Sequence, residues 1–225
     1  MSGSRNPPHK KPDSQFQMTE VDEKFVLKQL LSLKPNKAMG LDKISSRLLK
    51  VSAHTITPSV TNLLNKSIRT NKFPDPWKCS KITALFKSGD RTDTSNYRPI
   101  SILPTLSKIL EKAIHSQLYN YLVSNNLLNT KQFGFRKGFS TESALKNFAD
   151  EILHKMEQGK LSGAVFLDLS KAFDTVDHVL LLSKLSSIGL SENSLRWFRS
   201  YITGSRQRTY CENALSNELP ITYGV

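Results

Sequence analysis

The most constraining stretch of the chain is Ala164-Val165-Phe166-Leu167-Asp168-Leu169, an apolar run of branched and aromatic side chains with one carboxylate inside it. Such a run reads as a strand buried on both faces. Alternation sets Val165, Leu167 and Leu169 on one face and Phe166 and Asp168 on the other. A bare carboxylate there would cost several kcal/mol, roughly, or would keep its proton. A bound cation removes the conflict, because Mg²⁺ takes one or two carboxylates and completes its shell with water and phosphate oxygens. Two other readings stand beside it. Asp168 at the strand's end can cap the next helix, or it can be the nucleophile of a phosphatase that forms an aspartyl-phosphate. The phosphatase reading is weakened by Ser170, since such sites usually repeat the carboxylate at that place.

Charge narrows the partners. The 32 Lys and Arg outnumber the 19 Asp and Glu, for a formal charge of +13. An excess of that size attracts polyanions through phosphate contacts that weaken with salt, so nucleic acid is favoured over a membrane surface. No run is long enough to span a bilayer, and Met1 to Arg5 leads into prolines rather than an apolar signal region. Cys79 and Cys211 lie far apart and make no metal-ligand spacing, and the five histidines are scattered. Free thiols in a reducing compartment follow, with no disulfide-linked partner, no membrane and no secretion. The setting is intracellular, nuclear or cytoplasmic.

At 225 residues the chain can bury one large core or two small ones. Met1 to about Phe16 is rich in Pro, Ser, Lys and Asn and reads as a disordered basic arm over 1–18. Thr19-Glu20-Val21-Asp22 opens a capped helix that runs to about Leu33. Asn36 to Ile44 is a polar loop leading into a helix with Ile44, Leu48 and Leu49 on one side. Thr57-Pro58 opens the next, with Pro at its tolerated first position. Lys81 to Lys87 alternates as a strand, and Asn96 to Leu103 is a second whose Pro99 fits an edge or a strand start. A long core helix begins at Thr105 or Ser107. Gln132 to Thr141 is a glycine- and base-containing loop, without the Gly-Lys-Ser/Thr ending of a phosphate loop. Ala144, Leu145, Phe148, Ile152, Leu153 and Met156 carry the following helix into the core strand. Two amphipathic helices, Val179 to Leu185 and Leu195 to Ile202, and short strands at Arg206 to Cys211 and Leu219 to Tyr223 complete the pattern.

The longer pattern Phe166-Leu167-Asp168-Leu169-Ser170-Lys171-Ala172-Phe173-Asp174-Thr175-Val176-Asp177-His178 resembles the first catalytic motif of reverse transcriptases from non-LTR (LINE-type) retrotransposons. Three further segments resemble that family in order. Lys37-Ala38-Met39-Gly40-Leu41-Asp42 matches the loop ahead of the fingers, with Leu41 and Lys43 where a Pro and a Gly usually flank the Asp. The strand pair bearing Lys87 and Arg98 matches the fingers hairpin. Gln132-Phe133-Gly134-Phe135-Arg136 matches the segment along the template.

The resemblance covers roughly Thr19 to Val225 and implies an α/β chain holding the fingers and a partial palm of a right-hand polymerase, truncated before the second catalytic motif. It implies N-terminal helices and fingers over 19–160 and a partial palm over 161–225. Its implied function is RNA-directed DNA polymerisation, with an RNA template, a DNA primer and deoxynucleoside triphosphates as partners. Asp168 would hold two Mg²⁺ ions at a site incomplete in this chain, Lys87 and Arg98 the triphosphate, Phe173 would exclude the ribose 2′-hydroxyl, and Arg136 and Lys137 would contact the template. The alternative is a catalytically silent module, derived from a reverse transcriptase, that binds RNA or DNA.

Overall fold

A computed structural model describes residues 14–224, so all of the expected arm except 14–18 lies outside the described residues. Those last residues are ordered. Phe16 and Met18 are buried, and the Phe16 N–H donates to the Gly189 carbonyl while the Ser191 N–H donates back to Phe16. An apolar side chain at every second position lets this short segment dock like an edge strand, which its polar surroundings hide in the sequence.

Two compact units result, the described part of Met1–Tyr121 with Phe173–Val225, and Leu122–Ala172. This division does not follow the 19–160 and 161–225 boundaries. The cause is packing: the segment after Phe173 supplies core to the helices that come first.

In the first unit, α1 (Glu23–Leu31), α2 (Ser46–Val51), α3 (Ala53–Thr70) and the start of α4 (Thr105–Ser124) meet α6 (His178–Ser187) and α7 (Glu192–Ile202). The cap of α1 is Asp22, whose carboxylate accepts from the Phe25 N–H. α3 begins before Thr57, with Pro58 inside it. Pro58 lies on the exposed side of the helix, and its ring removes the hydrogen bond to the His54 carbonyl. Val26, Leu30, Leu64, Leu110 and Trp197 are fully buried together. Each such aliphatic side chain contributes roughly 1.5–3 kcal/mol of burial free energy. Phe73 stands edge-on to Trp197 and Tyr201, and the Trp197 Nε1–H donates to Ser67 Oγ at 3.0 Å, so the largest core ring leaves no polar atom unpaired.

The sheet of this unit joins early and late segments. β1 (Cys79–Phe86) pairs antiparallel with β2 (Tyr97–Ile102) and parallel with β3 (Arg206–Cys211). β4 (Ala214–Leu215) and β5 (Leu219–Pro220) pair antiparallel with β3. Gly40 fixes where the loop before α2 crosses this architecture. A Cβ there would lie 2.8 Å from the Pro104 nitrogen, so the expected Lys-Ala-x-Gly loop needs its glycine for close backbone approach.

The second unit holds α5 (Thr141–Glu157), opened by a capping box between Ser140 and Ser143. Here two expectations fail. Ala164 to Leu169 forms no strand, and Val165, Phe166, Leu167 and Leu169 are all exposed. α5 buries none of its residues, and Leu145, Leu153 and Met156 are exposed. The reason is pairing. An apolar run becomes a buried strand only when neighbouring strands take its N–H and C=O groups, and none does so among the described residues. Phe166 instead packs on Phe148, with ring centres 5.6 Å apart.

Candidate nucleotide-binding face

The β1–β2 register decides which side chains share a face. Leu85 stands opposite Arg98, and the Lys87 N–H extends the ladder by donating to the Asn96 carbonyl at 2.8 Å. Lys87 is two residues beyond Leu85, so Lys87 and Arg98 project from the same side of the sheet as diagonal neighbours. Both are exposed. The connecting turn is braced. Thr92 donates its N–H and hydroxyl to Asp90, the Ser95 N–H donates to Asp93, and the Tyr97 hydroxyl donates to the Arg91 carbonyl. These hydrogen bonds hold the Asp90 and Asp93 carboxyls below their ordinary pKa. The turn thus arrives folded at the base of Lys87.

The parallel β1–β3 pairing adds residues that alternation in the sequence could not reveal. Lys81 lies opposite Ile102 on one side and Arg208 on the other, and Thr83 lies between Ile100 and Tyr210. The face therefore carries Lys87, Arg98, Lys81 and Arg208 around Leu85, Ile100 and Tyr210. Leu85 and Ile100 are 57% and 44% exposed, which leaves apolar surface among the cations. Lys81 Nζ sits 4.0 Å from the Tyr210 ring centre, and Arg208 Nε donates to the Ser216 carbonyl. The signal for these two lay in Arg206-Gln207-Arg208-Thr209-Tyr210, a period-two run of bases, but its partner strand was not legible.

On the opposite face, Ile82 and Ser101 line a cavity of about 280 Å³ with Tyr201, Asp174 and Tyr223. Asp174 belongs to the segment after Phe173, and that segment is held by the chain's last described residues. Gly224 donates its N–H to the Val176 carbonyl, and its carbonyl is 2.7 Å from His178 Nε2. A Cβ on Gly224 would lie 2.9 Å from Asp174 Cα, and its φ of +89° also favours glycine. Phe173 is 57% exposed beside this clasp.

The remaining sequence-predicted residues fall in the second unit. Arg136 is spent locally: its guanidinium donates to the Asn129 and Gln132 carbonyls and lies 4.4 Å from the Phe139 ring. These contacts tie Arg136 into its own loop. Lys137 is exposed on the same loop, and Phe135 is 87% exposed at a φ of +59°. That backbone region is costly for an aromatic residue, so the loop holds Phe135 outward against a local preference. Asp168 is exposed, so the buried carboxylate that argued for a cation does not arise. No group of three or more His, Cys, Asp or Glu side chains gathers as a metal site among the described residues. Both cysteines are free, and no helix among the described residues is long and apolar enough to cross a membrane.

Residues 86–224 match the reverse transcriptase (RNA-dependent DNA polymerase) family. The chain is 30% identical to a probable RNA-directed DNA polymerase from transposon X-element of Drosophila melanogaster, over 95% of this chain and 23% of the relative. It is 31% identical to another from transposon BS of the same fly, over 72% of this chain and 18% of the relative. The RNA-directed DNA polymerase from mobile element jockey of Drosophila funebris is 30% identical over 88% of this chain and 22% of its own length. The chain belongs to the reverse transcriptase family, in its non-LTR retrotransposon branch. It spans less than a quarter of the length of these relatives.

Proposed function

We propose that this chain is the nucleotide-handling part of an RNA-directed DNA polymerase, which adds deoxynucleotides to a primer 3′-hydroxyl against an RNA template. The observation that carries the reading is the shared face of Lys87 and Arg98 at the end of a braced hairpin. A triphosphate needs several donors converging from one side. The Arg guanidinium meets phosphate oxygens with a planar fork, and the Lys ammonium adds a compact charge. Leu85, Ile100 and Tyr210 on the same face offer an apolar and aromatic platform for the base being copied, with Lys81 toward its backbone. In this assignment the β1–β2 hairpin belongs to the fingers, and the stretch from Ala164 to His178 opens the palm.

Phe173 is assigned to the sugar, where an aromatic edge leaves no room for a 2′-hydroxyl. Lys137 and Phe135 are assigned to the template, Arg136 acting by shaping their loop. Reverse transcriptases work with divalent metals, which stabilise charge on the transferring phosphoryl group. Asp168 is assigned as one carboxylate of that site. Since one carboxylate does not build it, the step at phosphorus is left to the complete polymerase. The exposed apolar surface of α5 and Ala164 to Leu169 is assigned to contacts with further polymerase structure.

The test is a chimera in which these 225 residues replace the matching segment of the jockey polymerase. RNA-templated primer extension is expected from the chimera. Loss of extension is expected on Asp168→Asn, and a raised KM for deoxynucleotides on Lys87→Ala or Arg98→Ala. A chimera that extends equally well with all three substitutions contradicts the assignment.

A further inference from the structure

The segment ahead of the first helix is held in the first unit as a bound peptide would be. Ser14 to Val21 meet α3, α4 and the turn between α6 and α7, and backbone capture repeats along them. The Phe16 N–H donates to the Gly189 carbonyl and the Ser191 N–H donates to the Phe16 carbonyl, both at 2.9 Å. The Met18 N–H donates to the Ser194 hydroxyl, which donates in turn to the Phe16 carbonyl, each at 3.3 Å. Further along, two side-chain amides each take both polar groups of one residue. Gln117 clamps the N–H and carbonyl of Thr19 at 2.9 Å, and Asn65 clamps those of Val21 at 2.8 and 2.9 Å.

A side-chain amide that accepts from the N–H and donates to the carbonyl of one residue does the work of a neighbouring strand, so it holds a backbone whatever its side chains. Selectivity comes from two positions. Phe16 and Met18 are buried at alternate places, while Gln15, Gln17, Thr19 and Glu20 are exposed. The Phe16 ring meets Tyr121 with ring centres 5.4 Å apart, and Phe16 pairs with buried Leu190 in a single parallel bridge. One bridge and two buried side chains are a light hold beside the helical core, and segments held so lightly open at less free energy than the core does.

We propose that this slot is a peptide-recognition site. It is filled in cis by Ser14 to Val21, and when that segment lifts it takes an extended partner segment with an aromatic and an unbranched apolar side chain two residues apart. The slot uses none of the sheet-face residues and does not depend on their assignment.

Two measurements on the whole 225-residue chain test it. In the parent, hydrogen exchange should show the amides of Phe16, Met18, Thr19, Val21 and Ser191 opening together, with protection about tenfold or more below that of Leu30 and Leu64. In the Phe16→Asp, Met18→Asp chain the slot is vacated. A labelled peptide with the sequence of Ser14 to Val21 should then bind, by anisotropy, about tenfold or more tightly than it binds the parent, whose own segment competes. The same peptide carrying Phe16→Asp should not bind, and Gln117→Ala in the vacated chain should weaken the unaltered peptide about fivefold. Exchange of the segment only in step with Leu30 and Leu64 makes it an inseparable part of the core and overturns the proposal, even where the double variant does not fold. A folded vacated chain that leaves the peptide unbound, equal binding to parent and vacated chain, or binding that ignores the peptide's phenylalanine overturns it as well.

Discussion

Lys81 and Tyr210 meet as a cation over a ring, 4.0 Å from Nζ to ring centre, because β1 and β3 run parallel side by side. The contact makes one continuous surface of the β1–β2 hairpin and β3, a strand from late in the sequence. On a protein of charge +13, this surface should hold single-stranded RNA with little sequence preference and a steep salt dependence. Lys81→Ala is expected to reduce the salt slope by about one. Tyr210→Ala should cost about 1–3 kcal/mol of stacking while leaving the slope nearly unchanged. Titrations of a mixed-sequence RNA at several salt concentrations separate the two effects.

Phe173 stands exposed beside the Gly224 clasp, where a sugar edge can reach it. In the jockey chimera, Phe173→Val should raise ribonucleotide incorporation relative to deoxynucleotide incorporation while primer extension continues. Unaltered selectivity in an active chimera removes Phe173 from the sugar check.

Tyr201 gives the fold an alkaline limit. Burial, with a smaller contribution from the Glu111 charge, pushes its phenol from an ordinary 10.0 up to about 12. The unfolded phenol therefore loses its proton first as pH rises. Stability from this group is complete below the unfolded pKa and is lost as pH climbs through the folded one. Denaturant midpoints should fall between those values, and Tyr201→Phe should flatten the fall. A midpoint with the same alkaline slope in the phenylalanine variant would assign the effect elsewhere.

The Trp197–Ser67 hydrogen bond lies in the centre of the first unit, and Ser67 Oγ itself donates to the Lys72 carbonyl. Ser67→Ala leaves the indole N–H buried and unsatisfied, at an expected cost of about 1–3 kcal/mol. Trp197→Ala should cost about 3–5 kcal/mol through its cavity. Chemical denaturation followed by circular dichroism measures both.

Local signals in the sequence specify most of these elements, and what they leave out has one physical cause. The helices of the first unit announced themselves by periodicity, and the Lys81 to Lys87 and Asn96 to Leu103 strands by alternation, because those signals are local. Non-local pairing was not legible. Nothing near Arg206 states that it lies beside Cys79, and nothing near Phe16 states that it lies beside Leu190. The same blindness worked in reverse at Ala164 to Leu169, where composition suited a buried strand and the described residues offer it no neighbour. Among the site residues, Lys87 and Arg98 share a face, whereas Asp168 and the Arg136 loop belong to the other compact unit.

The central claim is that Lys87 and Arg98 form the triphosphate grip, and equilibrium binding tests it most directly. Isothermal titration of the 225-residue chain with magnesium deoxythymidine triphosphate, at fixed ionic strength, gives the reference affinity. Replacing both residues by alanine should weaken binding about tenfold or more, the effect of losing charge-assisted hydrogen bonds to phosphate. Equal binding by the parent chain and the Lys87→Ala, Arg98→Ala variant, with circular dichroism showing both folded, would contradict the account.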